Sequence, residues 1–210
     1  GSSPAWREAP PAADETFAVM YTSGTTGRPK GVLVSHRMLR LSGEAVALVS
    51  AAQRGDIMFM WEPLYHIGGA QMIVLPLIRD VTLAMVGHLS ASRFWGQVRG
   101  YGATHIHFLG GILQILLKQP PSPLDRTHGA RVAWGGGCPR EVWQPFEQRF
   151  AMQIRECYGM TECSSITTYN DSGVVGSVGR PVPWFDVELI GPSGAPVPPG
   201  EHGEIVVRTS

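Results

Sequence analysis

Short apolar segments alternate with segments of helical periodicity through most of this chain. Candidate strands lie near residues 56–60, 81–86, 104–109, 130–134 and 153–157, and candidate helices near 67–77, 91–101, 111–118 and 139–150. Strands that alternate with helices of about ten residues indicate βαβ units, because parallel neighbours need a crossover connection. The pattern therefore predicts an α/β fold with a parallel, doubly wound sheet and helices on both faces.

Two further strands and a helix are predicted before this alternation. Phe17–Thr22 is a short apolar run, Gly31–Val34 favours a second strand, and residues 36–53 carry apolar side chains at helical spacing. Ser35 precedes that helix and is of a type that caps helix N-termini. Candidate residues for the start of later helices are Ser90, Ser92 and Pro139.

The two ends of the chain differ from its middle. Residues 1–16 are rich in Ala, Pro and Glu, and are predicted to be a linker or a disordered end. Residues 17–165 form the predicted α/β core. Later strand candidates, near 186–190 and 204–208, flank the turn-forming segment GPSGAPVPPGEHG. Residues 166–210 are therefore predicted to be a small β-rich subdomain, an incomplete barrel.

Charge and cysteine content exclude some classes of protein. Lys plus Arg equals Asp plus Glu at 17 each, which argues against the broad cationic footprint of a nucleic-acid-binding protein. The odd number of cysteines and the absence of a C-x-x-C pair favour reduced thiols and a cytoplasmic protein. Arg79 and Asp80 interrupt the apolar run 72–86, which therefore does not reach the roughly 20 residues of a membrane span.

The segment TSGTTGRPKG, residues 22–31, combines glycines, hydroxyl groups and one lysine. Glycines permit a turn whose successive N–H groups form a concave anion site. Hydroxyl donors and a mobile ammonium group suit several phosphate oxygens, as in a nucleoside triphosphate. The spacing is not that of the P-loop, and an ordinary Gly/Thr-rich surface turn is the alternative. The candidate binding residues are Thr22, Ser23, Gly24, Thr25, Thr26, Gly27 and Lys30.

A second segment, CYGMTE at residues 157–162, follows a strand candidate. It is expected at the carboxyl edge of the sheet, where open α/β proteins bind ligands. Tyr158 offers a flat face for a base, Thr161 a hydroxyl group, and Glu162 a hard oxygen ligand for Mg²⁺. The alternative is an ordinary loop with a surface glutamate.

Together these segments resemble the adenylate-forming superfamily of acyl-CoA synthetases, firefly luciferase and peptide-synthetase adenylation domains. The resemblance rests on YTSGTTGxPKG at 21–31 and YGxTE at 158–162. Elements similar to others of the family are PLYH at 63–66, the glycine run 135–137, VGRP at 178–181 and GEI at 203–205. The similarity spans nearly everything from residue 14 to residue 208.

The resemblance implies a two-step ligation that uses ATP, Mg²⁺ and coenzyme A. A small carboxylic acid attacks the α-phosphorus of ATP, giving an acyl-adenylate and pyrophosphate, and a thiol then displaces AMP to form a thioester. Because an acid with a pKa of about 4 is ionised at neutral pH, the first step needs no general base.

The resemblance also implies roles for individual residues. His66 would gate or orient the carboxylate, although a structural histidine is the alternative there. Glu162 would ligate Mg²⁺, Thr161 and Lys30 would contact the phosphates, and Tyr158 would stack on adenine. The catalytic candidates are thus His66, Thr161, Glu162 and Lys30. The implied nucleotide-binding residues are those of the 22–30 segment named above, together with Gly135, Gly136, Gly137, Tyr158, Gly159 and Thr161.

The chain is expected to be the central fragment of such a synthetase. In the family, an α/β portion precedes the Gly/Thr-rich loop, and a ribose-binding aspartate, a hinge and a lysine-bearing domain follow the β-rich segment. Residues 1–210 alone are therefore expected to form acyl-adenylate poorly or not at all. The alternatives are a non-catalytic ATP-binding fragment or degenerate synthetase relative, and a plain structural α/β domain.

The identity of the acid is less constrained. Residues 61–69 contain no aspartate to pair with an α-amino group. SRFWGQV at 92–98 and QPPS at 119–122 are similar to the crotonobetaine/carnitine-CoA ligases, and Trp61 or Trp134 would offer aromatic faces to a quaternary ammonium group unless both are core or rim residues. His105 and His107 share one strand face without a visible third ligand, which favours structural or pocket-lining roles over a metal site.

Overall fold

A computed structural model describes residues 9–22 and 27–209 of the chain. The strands are β1 Thr16–Thr22, β2 Lys30–Ser35, β3 Ile57–Met60, β4 Thr82–Met85, β5 His105–Leu109, β6 Val132–Gly136, β7 Gln153–Tyr158, β8 Thr168–Tyr169, β9 Arg180–Pro181, β10 Phe185–Ile190 and β11 Glu204–Thr209. The helices are α1 His36–Ser50, α2 Ile67–Arg79, α3 Phe94–Gly100, α4 Ile112–Leu117 and α5 Arg140–Phe150. The predicted alternation of strands and helices is confirmed.

The central sheet has seven strands in the order β4-β3-β5-β6-β7-β8-β9. Strands β4 to β7 are parallel, and β8 and β9 continue the sheet as short antiparallel strands. The register pairs Phe59 with Ile106 and Ile106 with Ala133, so a row of apolar side chains crosses the sheet on one face.

Both faces of the sheet are covered by helices, as expected for a doubly wound fold. Phe59, Ile106 and Ala133 belong to a core formed with α3, α4 and α5, whereas Met58 and Trp134 belong to a second core formed with α1 and α2. This segregation follows from the period of the strands, because successive side chains point to opposite faces. The predicted α/β fold class is therefore confirmed.

The strand order reverses direction beside β3. The chain moves from β3 to β4 through α2, which belongs to one core, and then from β4 through β5 and β6 to β7 through helices of the other core. The neighbouring strands β3 and β5 therefore send their following connections to opposite faces. Such a switch point opens a crevice at the carboxyl ends of the strands.

Two helix starts show how local sequence acts. Ser35 caps α1 as predicted, and its side chain accepts a hydrogen bond of 3.2 Å from Met38 N. The predicted cap of α3 by Ser90 or Ser92 is wrong: the helix begins after Arg93 without a side-chain cap, and Ser90 Oγ instead accepts from Arg93 Nε at 3.3 Å.

Two antiparallel hairpins flank the central sheet in sequence. β1 pairs with β2, and β10 pairs with β11. Ahead of β1, Asp14 forms an ion pair of 2.8 Å with Arg37 of α1. The central sheet continues to Pro181, beyond the boundary predicted at residue 165, and the division into 1–16, 17–165 and 166–210 stays a prediction.

Candidate functional site

A cavity of about 180 Å³ lies at the carboxyl ends of the parallel strands, beside the switch point. The first turns of α2 form one wall, the ends of β5, β6 and β7 form the floor, and the loop after β7 forms the opposite wall. Its lining residues are His66, Ile67, Gly68, Gln71, His107, Leu109, Trp134, Gly136, Cys157, Gly159, Met160, Thr161, Ser165 and Ile166. Polar groups from distant parts of the sequence thus converge on one space.

His66 stands at the start of α2 and caps that helix. Its backbone is extended, and its Nδ1 accepts a hydrogen bond of 3.1 Å from Gly68 N. Because this bond needs a lone pair on Nδ1, the ring proton lies on Nε2. The side chain is 51% exposed at the cavity. His66 therefore offers an N–H donor, which suits the binding of a carboxylate better than the removal of a proton.

The floor of the cavity contains an aromatic stack around His107. The His107 ring lies 6.0 Å from the Trp61 ring and 4.3 Å from the Trp134 ring, measured between centroids. Trp61 Nε1 donates to His107 O at 2.9 Å. Burial lowers the pKa of His107 to about 3, so this ring is neutral at ordinary pH.

A buried carboxyl group, Glu62, lies next to both His107 and His66 and was not predicted from the sequence. The residue is 6% exposed, its Oε2 lies 3.3 Å from His107 Nδ1, and its Oε1 lies 3.8 Å from His66 Nδ1. Burial raises the pKa of Glu62 to about 7. One glutamate beside PLYH gave no sequence signal of burial, which arises only when α2 and β5 pack around it.

The glycine run 135–137 forms the exit from β6 and is fixed by a second buried carboxylate. Glu156 of β7 accepts hydrogen bonds from Gly137 N at 2.7 Å and from Cys138 N at 3.0 Å. Burial raises the pKa of Glu156, and these two donors offset part of that effect. Sequence reasoning missed Glu156, although it directly precedes the CYGMTE segment. Gly136 lines the cavity, so Glu156 holds part of the cavity's rim in place.

The segment after β7 supplies the opposite wall. Tyr158 ends the strand and is half-buried, while Gly159 and Thr161 line the cavity. A Cβ atom on Gly159 would lie 1.7 Å from Ser165 O, so the close approach of this loop requires glycine. Thr161 begins a short helical turn that ends at Cys163.

The turn that carries Glu162 lies beside the β1–β2 hairpin. The helical turn with exposed Glu162 contacts β2, the strand that begins at Lys30. Thr22 and Lys30 form the last pair of the β1–β2 hairpin, and Gly27 and Lys30 are exposed. The predicted phosphate-binding residues Ser23, Gly24, Thr25 and Thr26 lie outside the described residues. The roles of all these residues stay predictions.

The described part of the chain holds no ready-made metal site. Residues 9–22 and 27–209 contain no cluster of three or more His, Cys, Asp or Glu side chains with suitable geometry. His105 instead contacts Ser50 O through Nε2 at 3.1 Å and Thr104 Oγ1 through Nδ1 at 2.8 Å, which is a structural role. Mg²⁺ is commonly held by one or two carboxylates together with phosphate oxygens and water. The carboxylate of Glu162, which is exposed, would suit such a site as one ligand among several.

Thiol chemistry finds little support at this site. Cys138, Cys157 and Cys163 are free thiols. Burial, together with the charge of Glu156, raises the pKa of Cys138 to about 12, and burial likewise raises the pKa of Cys157. Both therefore stay protonated and weakly nucleophilic.

Among the described residues, no helix combines the length and apolar character needed to cross a membrane.

Comparison with known proteins finds relatives over most of this chain. Human long-chain fatty acid transport protein 1 is 38% identical over 79% of this chain and 26% of its own length. Crotonobetaine/carnitine–CoA ligase of Escherichia coli O157:H7 is 32% identical over 95% of this chain and 40% of the ligase. A structure of O-succinylbenzoate coenzyme A synthetase from Bacillus subtilis, in complex with ATP and magnesium ion, has a TM-score of 0.81 and 27% identity, covering 94% of this chain and 42% of that one.

These similarities confirm the predicted resemblance, and they concern part of each relative. The chain spans between 22% and 40% of the length of the curated relatives it matches. The family model described as AMP-binding enzyme matches residues 2–210. The chain therefore belongs to the AMP-binding enzyme family.

Proposed function

We propose that the protein containing this chain is an ATP-dependent acid–thiol ligase that forms an acyl-adenylate and then a coenzyme A thioester. One observation carries the proposal: His66, Gly136 of the glycine run, and Gly159 and Thr161 of the segment after β7 are far apart in sequence but line one cavity in a member of this family. These residues lie close together because each is at or just beyond the carboxyl end of a parallel strand, or directly before the helix that follows one.

The residues around the cavity suit a reaction between two anions. The Nε2–H of His66 would bind and orient the substrate carboxylate, which is already ionised at neutral pH. Thr161 would contact the phosphates and Tyr158 would stack on adenine. Mg²⁺, bound by Glu162, would neutralise phosphate charge. The protein's part is to orient the substrates and to stabilise their charge. The protonated thiols of Cys138 and Cys157 are weak nucleophiles, so the proposal includes no covalent bond between the acyl group and the enzyme.

The cavity favours a small acid, and Trp134 supports the trimethylammonium hypothesis better than Trp61. Trp134 lines the cavity, whereas Trp61 stacks behind His107 and donates its N–H to the backbone there. Trp134 is only 1% exposed and belongs to the second core, so a core role is the alternative, but as the tryptophan that lines the cavity it is the one we propose to offer an aromatic face to a quaternary ammonium group. Calorimetric titration of the full-length protein with a trimethylammonium acid and a matched plain short-chain acid tests this, and equal affinities would remove the idea.

The test of the activity itself uses the full-length protein. Carboxylate-dependent exchange of pyrophosphate into ATP reports the first step, and thioester formation with coenzyme A reports the second. We expect acid-dependent exchange in the full-length protein and little or none in residues 1–210 alone. Binding of Mg-ATP without exchange across a broad panel of acids would favour the non-catalytic alternative. We also propose a cytoplasmic setting, which the three free thiols support.

A further inference from the structure

The buried carboxyl group of Glu62 lies directly behind the cavity, yet the reaction described above makes no use of it. Its Oε2 atom is fully buried and has no hydrogen-bond partner among the described residues. A Cβ atom on Gly68, a cavity-lining residue, would lie 2.2 Å from this oxygen. Only the bare backbone of Gly68 therefore fits against Glu62. A buried carboxyl oxygen without a hydrogen-bond partner lowers the stability of the folded protein, so its presence beside the cavity suggests a functional role for Glu62.

Three titratable groups on different elements face Glu62. They are His66 at the start of α2, His107 on β5 and Cys157 on β7. The Nδ1 of His66 already accepts from Gly68 N, and the thiol of Cys157 stays protonated because burial raises its pKa. This leaves His107 Nδ1, which lies 3.3 Å from Glu62 Oε2. The orientation of the two groups makes no hydrogen bond in this structure, but the distance allows one to form after a small rotation of the carboxyl group.

The two partners titrate in different ranges. Burial lowers the pKa of His107 to about 3 and raises that of Glu62 to about 7. The imidazole is therefore neutral near pH 7, whereas the carboxyl changes its protonation there. A neutral imidazole carries its proton on one nitrogen, and the hydrogen bond made by the other nitrogen selects which one.

We propose that Glu62 is a positioning residue that sets the tautomer of His107 and, through it, the affinity of the cavity for the substrate carboxylate. This inference rests on the proposed function. When Glu62 is protonated, its O–H donates to His107 Nδ1, so the ring proton lies on Nε2. When Glu62 releases its proton to solvent, the carboxylate accepts from Nδ1–H, and Nε2 carries a lone pair.

The two states differ in what the Nε2 atom of His107 offers to an anion: a hydrogen-bond donor in one and a lone pair in the other. His107 lines the cavity, and its Nε2 has no hydrogen-bond partner in the described part of the chain. An Nε2–H donor attracts a carboxylate, whereas an Nε2 lone pair backed by an ionised Glu62 repels it. Affinity for the acid should therefore fall as pH rises through the pKa of Glu62.

The first arm of the test measures the KM for the acid by ATP–pyrophosphate exchange in the full-length protein between pH 6 and pH 8.5. For complete coupling, we expect the wild-type KM to rise about tenfold between pH 6 and pH 8, with kcat and the KM for ATP changing far less. In Glu62→Gln the amide N–H donates to Nδ1 at every pH, so its KM should be flat and no higher than wild type at pH 8. Glu62→Leu lacks a donor and should show a raised, flat KM.

A matched control distinguishes positioning from general disruption. Asp56 is also a buried carboxyl beside a strand histidine, with its Oδ2 3.8 Å from His105 Nδ1 and with Arg131 as a further partner. It does not line the cavity, so Asp56→Asn should lower stability but keep the wild-type pH dependence of KM. A Glu62→Gln variant that keeps the wild-type slope would overturn the inference.

The second arm is independent of activity. Nitrogen-15 NMR of the histidine-labelled full-length protein reports which nitrogen of His107 is protonated. We expect a tautomer change near pH 7 in the wild type and none in Glu62→Gln. A fixed tautomer in the wild type would refute the inference. A changing tautomer with a flat KM would refute its link to acid binding, and absence of exchange with any acid would refute the proposed function and that link together, while the NMR result still decides the control of His107 by Glu62.

Discussion

Replacement of Glu62 by glutamine should change how the stability of the protein depends on pH. Glu62 has a pKa of about 7 in the folded protein, against the ordinary value of 4.5 for a glutamate. A raised folded-state pKa means that its stabilising contribution is complete below the unfolded pKa and is lost as pH rises through the folded pKa. The cause is the burial of the carboxyl group, which disfavours its charged form.

The size of the effect follows from these two values. Because one pKa unit corresponds to about 1.4 kcal/mol, the ionisation of Glu62 costs about 3 kcal/mol at pH 8 and under about 1 kcal/mol at pH 5. Glutamine has nearly the same shape and does not ionise. The free energy of unfolding of Glu62→Gln, relative to wild type, should therefore increase by about 2.5 kcal/mol between pH 5 and pH 8.

The assay is urea unfolding of the full-length protein at several pH values, followed by tryptophan fluorescence. The six tryptophans of the chain, among them Trp61 and Trp134 near His107, report the loss of folded structure. Glu201→Gln is the control, because Glu201 is exposed and its variant should follow wild type at every pH. If Glu62→Gln and wild type differ by the same amount at pH 5 and pH 8, Glu62 is not a group of raised pKa and the reasoning fails.

Three other substitutions test the framework around the cavity. In Glu156→Gln the amide oxygen still accepts from Gly137 N and Cys138 N, but the amide N–H₂ group replaces the second acceptor of Cys138 N. This variant should lose about 2 kcal/mol of unfolding free energy, measured by urea unfolding, and bind ATP more weakly, measured by calorimetry. Gly159→Ala forces a Cβ against Ser165 O and should lower the melting temperature and ATP affinity together; an unchanged ATP affinity would contradict the placement of this loop. Arg149→Ala removes bonds to Asp125, Leu117 O and Gln119 O far from the cavity, so it should cost about 2–3 kcal/mol without a change in the KM for ATP.

Much of the fold could be predicted because its pattern is periodic. The alternation from β3 to β7 and the cap of α1 by Ser35 follow from local rules that need no partner. The end of β6 was placed at residue 134, but the strand runs to Gly136, since pairing with Leu109 extends it into the glycine run. Tertiary pairing overrode the low strand propensity of glycine there.

The parts of the candidate site that could not be predicted are those created by packing. His66 and Thr161 lie in segments with recognisable motifs, and both line the cavity. Glu62 and Glu156 are single glutamates whose burial depends on neighbouring strands and on α2. The strands β8 and β9 have two residues each, too few to show a period of two.

The most direct test of the central claim is the affinity of the full-length protein for Mg-ATP, measured by calorimetry in wild type, Glu162→Ala and Glu201→Ala. Both glutamates are exposed, but only Glu162 lies in the turn that contacts β2. We expect Glu162→Ala to weaken Mg-ATP binding at least tenfold, about 1.4 kcal/mol, and to reduce its dependence on Mg²⁺, with Glu201→Ala unchanged. Equal affinity of all three proteins for Mg-ATP, or no binding by wild type, would contradict the account.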